Sequence, residues 1–336
     1  MSMVFIPLKT KFAEWRRAIQ RGRRLAKDAA IMGSVEWAER LNGWFDDVRQ
    51  FRVVRGGGNR IVQLLKLGLD LPEYVAKWVL GRNRNYTMMC ELAANGATFE
   101  MEGERLVGEW KGTKFGLEPD TLLIFWELVV EQAYRWTDFG QETLVFDIGA
   151  NVGFVSLGFA TLHPATHIYG FEAFGKTFSR AVANFGENPQ FREKIHIACQ
   201  ALSDHNAQEE WTLDVNDAAC SGQFGDFVGE GRKERVEVVR ASEAMKPILD
   251  AHAGWPCVVK MDCEGGEYAI LKDWESSGLA KRIDLVLMEY HEIAGHTVEE
   301  IEAWCRRNGY AAVRRPKLLG GKARNFWDMV LARVRR

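Results

Sequence analysis

The stretch "LVFDIGANVGFVSLGFA", residues 144–160, decides the fold. Three apolar residues run up to Asp147, a turn follows through Gly149, Ala150 and Asn151, and an apolar helical pattern begins near Gly153. A strand that ends in a glycine turn and feeds a helix is the unit of a parallel sheet whose crevice, outside the strand ends, receives a ligand. A dinucleotide loop would space its glycines as GxGxxG, and a P-loop would end in Gly-Lys-Ser/Thr; this loop does neither. A carboxylate at the strand tip suits a cofactor that carries positive charge better than it suits a pyrophosphate.

Downstream, the same texture repeats. Short apolar runs at Leu144–Asp147, His167–Phe171, Ile195–Cys199, Val258–Asp262 and Leu285–Glu289 alternate with helical segments, which predicts a mostly parallel sheet covered on both faces. Two further strands, Tyr310–Arg315 and Phe326–Ala332, flank "PKLLGGKARN", so the last strand is expected to run antiparallel to its neighbours. The second strand delivers Glu172, 19 residues beyond Gly153, where a carboxylate can accept both hydroxyls of a ribose. Ala173 follows it, and "ALSD" carries Ser203 and Asp204 to the adenine end of the crevice. The bland alternative makes these acids helix caps around an ordinary glycine turn.

The fourth strand leads into "DCEGGE", with Asp262, Glu264 and Glu267 within six residues. The fifth ends near Glu289 and His291. Lys260 lies within a strand expected to be buried, and pairing with Asp262 on the same side would satisfy both charges. Glu267, in a first helical turn, would complement the helix dipole at about 0.3–1 kcal/mol. "HEIAGH" has one residue too many for the HExxH zinc motif, so His291 and His296 would not share a helix face.

The motif Lys260-x-Asp262-x-Glu264-Gly265-x-Glu267, with "FDIGANVGF", "FEA", "ALSD" and "LVLMEYHE", resembles the FkbM-type methyltransferase family over residues 143 to about 332. The resemblance implies the class I methyltransferase fold: α/β, a mostly parallel seven-stranded sheet with a reversed C-terminal hairpin strand, here joined to a mainly helical N-terminal region. It implies S-adenosylmethionine as cofactor, held by Asp147, Gly149, Ala150, Asn151, Gly153, Glu172, Ala173, Ser203 and Asp204. It also implies O-methylation of a small-molecule hydroxyl on a sugar, glycan or polyketide-type product. A protein base would take the acceptor's proton, the candidates being Asp262, Glu264, Glu289 and His291. A divalent ion held by Asp262, Glu289 and His291, with Glu264 beside them, is the alternative and not the expectation. From another class, a nicotinamide-dependent oxidoreductase or epimerase would also sit on a doubly wound sheet.

The long helical section before residue 140 and "MKPILDAHAGW" ahead of the fourth strand depart from the usual family pattern. Two domains are expected: residues 1–140, helical with a β-hairpin around Glu102-Gly103 and a helix from Pro119 through Trp136, for substrate recognition or homo-oligomer contacts; and residues 141–336, the catalytic domain. The first hundred residues hold 17 Lys and Arg against 10 Asp and Glu, a local excess of seven positive charges in a chain of net −2. The basic run "WRRAIQRGRRLAK" is read as a solvated helix face, and with so small a net charge no nucleic-acid partner is expected. Trp15, Trp37, Trp44, Trp78, Trp110, Trp126 and Trp136 are read as packing residues. The six cysteines show no CxxC pair, which points to a reducing, cytoplasmic setting, and no run is apolar for long enough to span a membrane.

Overall fold

The computed structural model describes residues 84–102, 105–118, 120–214, 231–292, 295–315 and 326–334. The helical readings over residues 8–80, the basic run, the first four of those tryptophans and the "PKLLGGKARN" turn lie outside the described residues. Contacts divide the chain at Gly108–Glu109. In the first unit lie helix α1 (Arg84–Ala94) and strand β1 (Thr98–Glu102), and strand β2 (Arg105–Trp110) begins there. β1 and β2 stand on either side of Gly103, as the alternating pattern predicts.

The second unit starts with β3 (Thr113–Leu117) and α2 (Leu122–Trp126), which continues as a π-helical turn over Glu127–Glu131. The helix expected from Pro119 through Trp136 therefore begins at Leu122 and stops at Glu131. Gln132 and Tyr134 take left-handed φ values of 54° and 59°, which a right-handed helix cannot contain. β3 is tied to a later part of the same unit by two buried asparagines. Asn184 Oδ1 accepts from Gly116 N at 3.0 Å, and Asn188 Oδ1 accepts from Lys114 N at 2.9 Å.

Next comes the alternating core: β4 (Thr143–Ile148), α3 (Phe154–Leu162), β5 (Thr166–Phe171), α4 (Gly175–Gly186) and β6 (Ile195–Ala198). Three strands follow, β7 (Ala201–Ser203), β8 (Ala207–Asp214) and β9 (Gly231–Arg240), forming a small separate sheet in the order β7-β9-β8 that the sequence reading missed. Then come α5 (Ala241–Ala251), β10 (Cys257–Met261), α6 (Glu267–Ser277), β11 (Leu285–His291), α7 (Val298–Asn308), β12 (Tyr310–Arg315) and β13 (Phe326–Arg333).

The main sheet has seven strands in the order β12-β13-β11-β10-β4-β5-β6. The pairs from β11 through β10, β4 and β5 to β6 are all parallel, and β13 runs antiparallel to both β11 and β12. This is the predicted class I methyltransferase architecture, and each of the seven predicted strands is present in it. β4 is buried at all six positions because helices cover both of its faces. On one face Phe115, Phe125 and Phe154 pack with ring centroids 4.6–6.1 Å apart. On the other, Met245, Trp274, Ile301 and Trp304 close over Val259, Met261, Val286 and Met288. Burial of each such side chain contributes about 1.5–3 kcal/mol. No helix among the described residues is long and apolar enough to cross a membrane. Cys199, Cys257, Cys263 and Cys305 are free thiols.

Strand register determines where the chemistry lies. Ile148 is level with Phe171 and with Met261, and Met261 is level with Met288. The next residue on each of these four strands is Gly149, Glu172, Asp262 or Glu289, so one edge of the sheet presents three carboxylates beside a glycine turn.

Candidate functional site

The turn after β4 is shaped by protein contacts. At Gly149, φ is 75°, and a Cβ there would lie 1.8 Å from the backbone oxygen of Asp262; at Gly153, φ is 80° and a Cβ would meet the Phe185 ring at 2.5 Å. Both glycines admit neighbouring protein, whereas the sequence alone assigned them to the approach of a ligand. Ala150 is buried, and Asn151 takes a left-handed φ of 51°, a conformation asparagine tolerates better than most residues. Asn151 N then donates to Glu172 Oε2 at 2.9 Å, while Phe174 N donates to Oε1 at 3.0 Å. These two amides hold the Glu172 carboxylate at the sheet edge and leave lone pairs on each oxygen. Burial raises its pKa to about 7, against the opposing pull of the two amide hydrogen bonds.

Asp147 is fully buried. Ser156 Oγ donates to Oδ2 at 2.6 Å, Lys260 Nζ stands 3.4 Å from Oδ1, and Oδ1 has no hydrogen-bond partner. Burial raises this carboxyl's pKa, and Lys260 and Ser156 oppose the rise. Lys260 also donates to Gly149 O at 2.5 Å and lies 3.8 Å from Asp262, so the expected Lys260–Asp262 pair is the longer of two and the lysine braces the turn. Burial disfavours the Lys260 charge, but Asp147 and Asp262 outweigh it and raise the pKa.

A second group gathers after β10. Tyr134 Oη donates to Asp262 Oδ2 at 2.9 Å across 128 residues of sequence, and the Lys260 ammonium lies 5.5 Å from the centre of the Tyr134 ring. Burial, then the Asp262 charge, raises the phenol's pKa well above its usual value. Glu264 takes φ 52°, uncommon for a side chain of its size. His291 Nε2 is 3.4 Å from Glu264 and 3.8 Å from Glu289, while Nδ1 is 3.1 Å from Glu267 Oε1. Burial alone would lower the imidazole's pKa, yet the Glu267 carboxylate brings it to about 10. Burial raises Glu264 to about 8, against the pull of His291.

The four predicted catalytic residues are therefore together. Glu267, expected to serve the helix dipole, does open α6, but it is also wholly buried, accepts from Cys263 N at 3.2 Å and faces His291. Sequence reasoning missed Tyr134 and Ser156, whose partners become visible only when the chain is folded. The predicted adenine-end residues stand apart from this cluster. Ser203 is buried in β7, and Asp204 binds Lys272 Nζ at 2.7 Å and His205 Nδ1 at 2.9 Å, on the wall of a cavity of about 370 Å³ beside α6 and α7. Ala173 packs on the small cluster of Phe174, Val236 and Val238.

Residues 147–312 match the methyltransferase FkbM domain. Among solved structures, the chain is similar to an FkbM methyltransferase from Methylobacillus flagellatus, at 14% identity and a TM-score of 0.37, covering 63% of this chain and 53% of that one. It is similar to a precorrin-6y C5,15-methyltransferase from Geobacter metallireducens (12% identity, TM-score 0.31, 57% and 81% covered). A third is an rRNA methylase from Streptococcus thermophilus (10% identity, TM-score 0.35, 58% and 89% covered). The chain thus spans about half the length of the Methylobacillus protein. No curated protein matches it. The matched residues begin at Asp147 and take in the glycine turn, Glu172, the Asp262–Glu267 loop, Glu289 and His291, so that this part of the chain carries the methyltransferase FkbM domain.

Proposed function

We propose that the protein is an S-adenosylmethionine-dependent methyltransferase that acts on a hydroxyl of a sugar or polyketide-type small molecule. The observation that carries this reading is the register row: Glu172, Asp262 and Glu289 leave strands of one sheet at one level, beside the glycine turn at Gly149. The residues present fit the cofactor. Glu172, fixed by two backbone amides, suits the ribose hydroxyls, and Asn151, Ala150 and Gly149 form the turn it would lie against. When bound, S-adenosylmethionine supplies a methyl group on a sulfonium, open to in-line displacement. Fixing the two reactants in line can remove several kcal/mol from the barrier.

The chain's own residues supply the rest. Asp262 is oriented by the Tyr134 hydroxyl, and its negative charge favours a cationic centre nearby. Glu264, Glu289 and His291 form a group of proton acceptors and donors next to it, which a hydroxyl acceptor requires and which typically adds about 10²- to 10⁴-fold. The reversed strand β13 has no counterpart in an all-parallel dinucleotide sheet, and together with the missing GxGxxG spacing it weighs against the nicotinamide alternative.

Calorimetric titration tests the cofactor: heat is expected with S-adenosylmethionine and none with NAD, and the reverse would overturn the reading. A mass-spectrometric screen of saccharide and polyketide hydroxyls with cofactor should then find one acceptor class gaining the mass of a methyl group; gain only on amines or nucleobases would sink the hydroxyl assignment.

A further inference from the structure

Asp262, Glu264 and His291 each offer one ligand atom, and the three atoms lie within 4.8 Å of one another. The imidazole is set for coordination. Its Nδ1 faces Glu267 Oε1 at 3.1 Å, with both side chains almost wholly buried, while Nε2 turns to the Glu264 and Glu289 carboxylates. A carboxylate on the far nitrogen is how proteins fix the tautomer and ring angle of a metal-binding histidine and raise its basicity. Glu267 is itself held, through Cys263 N, and Asp262 is held through Tyr134 Oη. The ligand group therefore has supports on both sides.

The donor set points the same way. Glu264 and Glu289 stand 3.4 and 3.8 Å from His291 Nε2 and Asp262 offers a third carboxylate, and carboxylate oxygens with an imidazole nitrogen suit a divalent cation.

We propose that Asp262, Glu264 and His291 bind a divalent metal ion, with Glu267 as a positioning residue behind His291 and Glu289 within reach as proton acceptor. This narrows the residues that the sequence offered for an ion by leaving Glu289 out of the ligand group. Two carboxylates and one imidazole suit manganese, magnesium or zinc better than calcium, which takes six to eight oxygens. Three protein ligands leave coordination positions open to substrate. The inference rests on the methyl-transfer reading for its chemistry. A hydroxyl coordinated to the ion becomes more acidic and passes its proton to Glu289; the alkoxide oxygen then forms a bond to the methyl carbon, and the carbon–sulfur bond breaks with its electron pair going to sulfur, leaving a neutral thioether.

The test is a titration of the full chain with manganese, free of cofactor, followed by loss of the free-ion paramagnetic signal, with S-adenosylmethionine binding measured in parallel by calorimetry. One manganese ion per chain is expected, competed by magnesium. Glu264→Gln and Asp262→Asn should each lower its affinity at least tenfold, and Glu267→Gln, which removes no ligand, by about 10- to 100-fold. Circular dichroism identifies any variant that does not fold; the two ligand variants serve as replacements for each other, because Glu264 and Asp262 are only partly buried. Manganese binding that is absent, or unchanged in a folded Glu264→Gln or Asp262→Asn protein, overturns the metal site, and normal cofactor binding in the same sample leaves the methyltransferase reading standing. Manganese binding without cofactor binding would support the ion site and sink the proposed function instead.

Discussion

The space beside Gly149 is so tight that even a methyl group has no room. With φ at 75° and the Asp262 carbonyl oxygen 1.8 Å from a would-be Cβ, Gly149→Ala adds left-handed strain to a backbone clash. A loss of at least about 2 kcal/mol is expected, read from denaturant unfolding. An alanine variant as stable as the parent would mean that the two loops can part. At Glu172 the expectation concerns pH. A carboxyl with a pKa of about 7 accepts ribose hydroxyls fully only when ionised, so S-adenosylmethionine affinity should rise about tenfold between pH 6 and pH 8. In Glu172→Gln that slope should disappear and affinity should drop, the lost charged hydrogen bonds being worth about 1.5–3 kcal/mol. A pH-independent dissociation constant in the parent would remove Glu172 from the site. The need for glycine at 149 was legible in the sequence, but its cause was not, because Asp262 lies 113 positions away and only strand pairing makes them neighbours. Tyr134 was illegible for the same reason: nothing local marks a tyrosine whose partner is a distant carboxylate.

At the level of elements, two helix starts show how far pattern reading reaches. Thr297 and Glu300 form the reciprocal capping box at the start of α7, with the Thr297 side chain accepting from the third helical amide and Glu300 reaching back to the Thr297 amide. Thr297→Ala should cost about 1 kcal/mol and leave cofactor binding unchanged, as thermal melts and calorimetry would report. The start of α6 behaves differently. A dipole role alone would make Glu267→Gln nearly harmless, but its carboxylate is buried against His291, and removing one partner of a buried pair typically costs about 3–5 kcal/mol. A melting temperature within a degree of the parent would show that His291 does not depend on this charge. The strands β8 and β9 were missed although their signal was present: Val236 and Val238 point inward between exposed Arg235 and Glu237, a period of two. Strands of a parallel sheet read as continuous apolar runs, whereas this antiparallel pair reads as an alternation.

For the molecule as a whole, the pKa shifts at the site share one direction. Glu172 rises from 4.5 to about 7, Glu264 from 4.5 to about 8, and His291 from 6.5 to about 10. A group with a raised folded-state pKa contributes stability that is complete below its unfolded value and lost as pH climbs through the folded one. The cofactor-free, chelator-treated protein should therefore lose stability steadily from pH 5 to pH 9. Ion-paired surface carboxyls with lowered pKa values, such as Asp204 and Glu275, lose their contribution only at lower pH, as it falls through their folded-state values. Melting temperatures at pH 5, 7 and 9 check this; a maximum near pH 8 would mean that the buried acids ionise freely. Overall topology was the most legible level, because all seven sheet strands announce themselves by local composition, whereas the pairing of charges depends on the third dimension.

The reversed strand also sets an order in time. β13 follows every other described strand yet lies between β12 and β11, two strands made before it. Until Phe326–Arg333 has left the ribosome, β11 has an open edge along the whole length from Leu285 to His291. The strand that carries Glu289 and His291 thus gains its second neighbour after β10, β4 and β5 have both of theirs. A nascent chain stalled before β13 would hold its glycine turn and Glu172 in a nearly complete half-sheet, while the acid-rich half remained available to chaperones or to a neighbouring copy's edge.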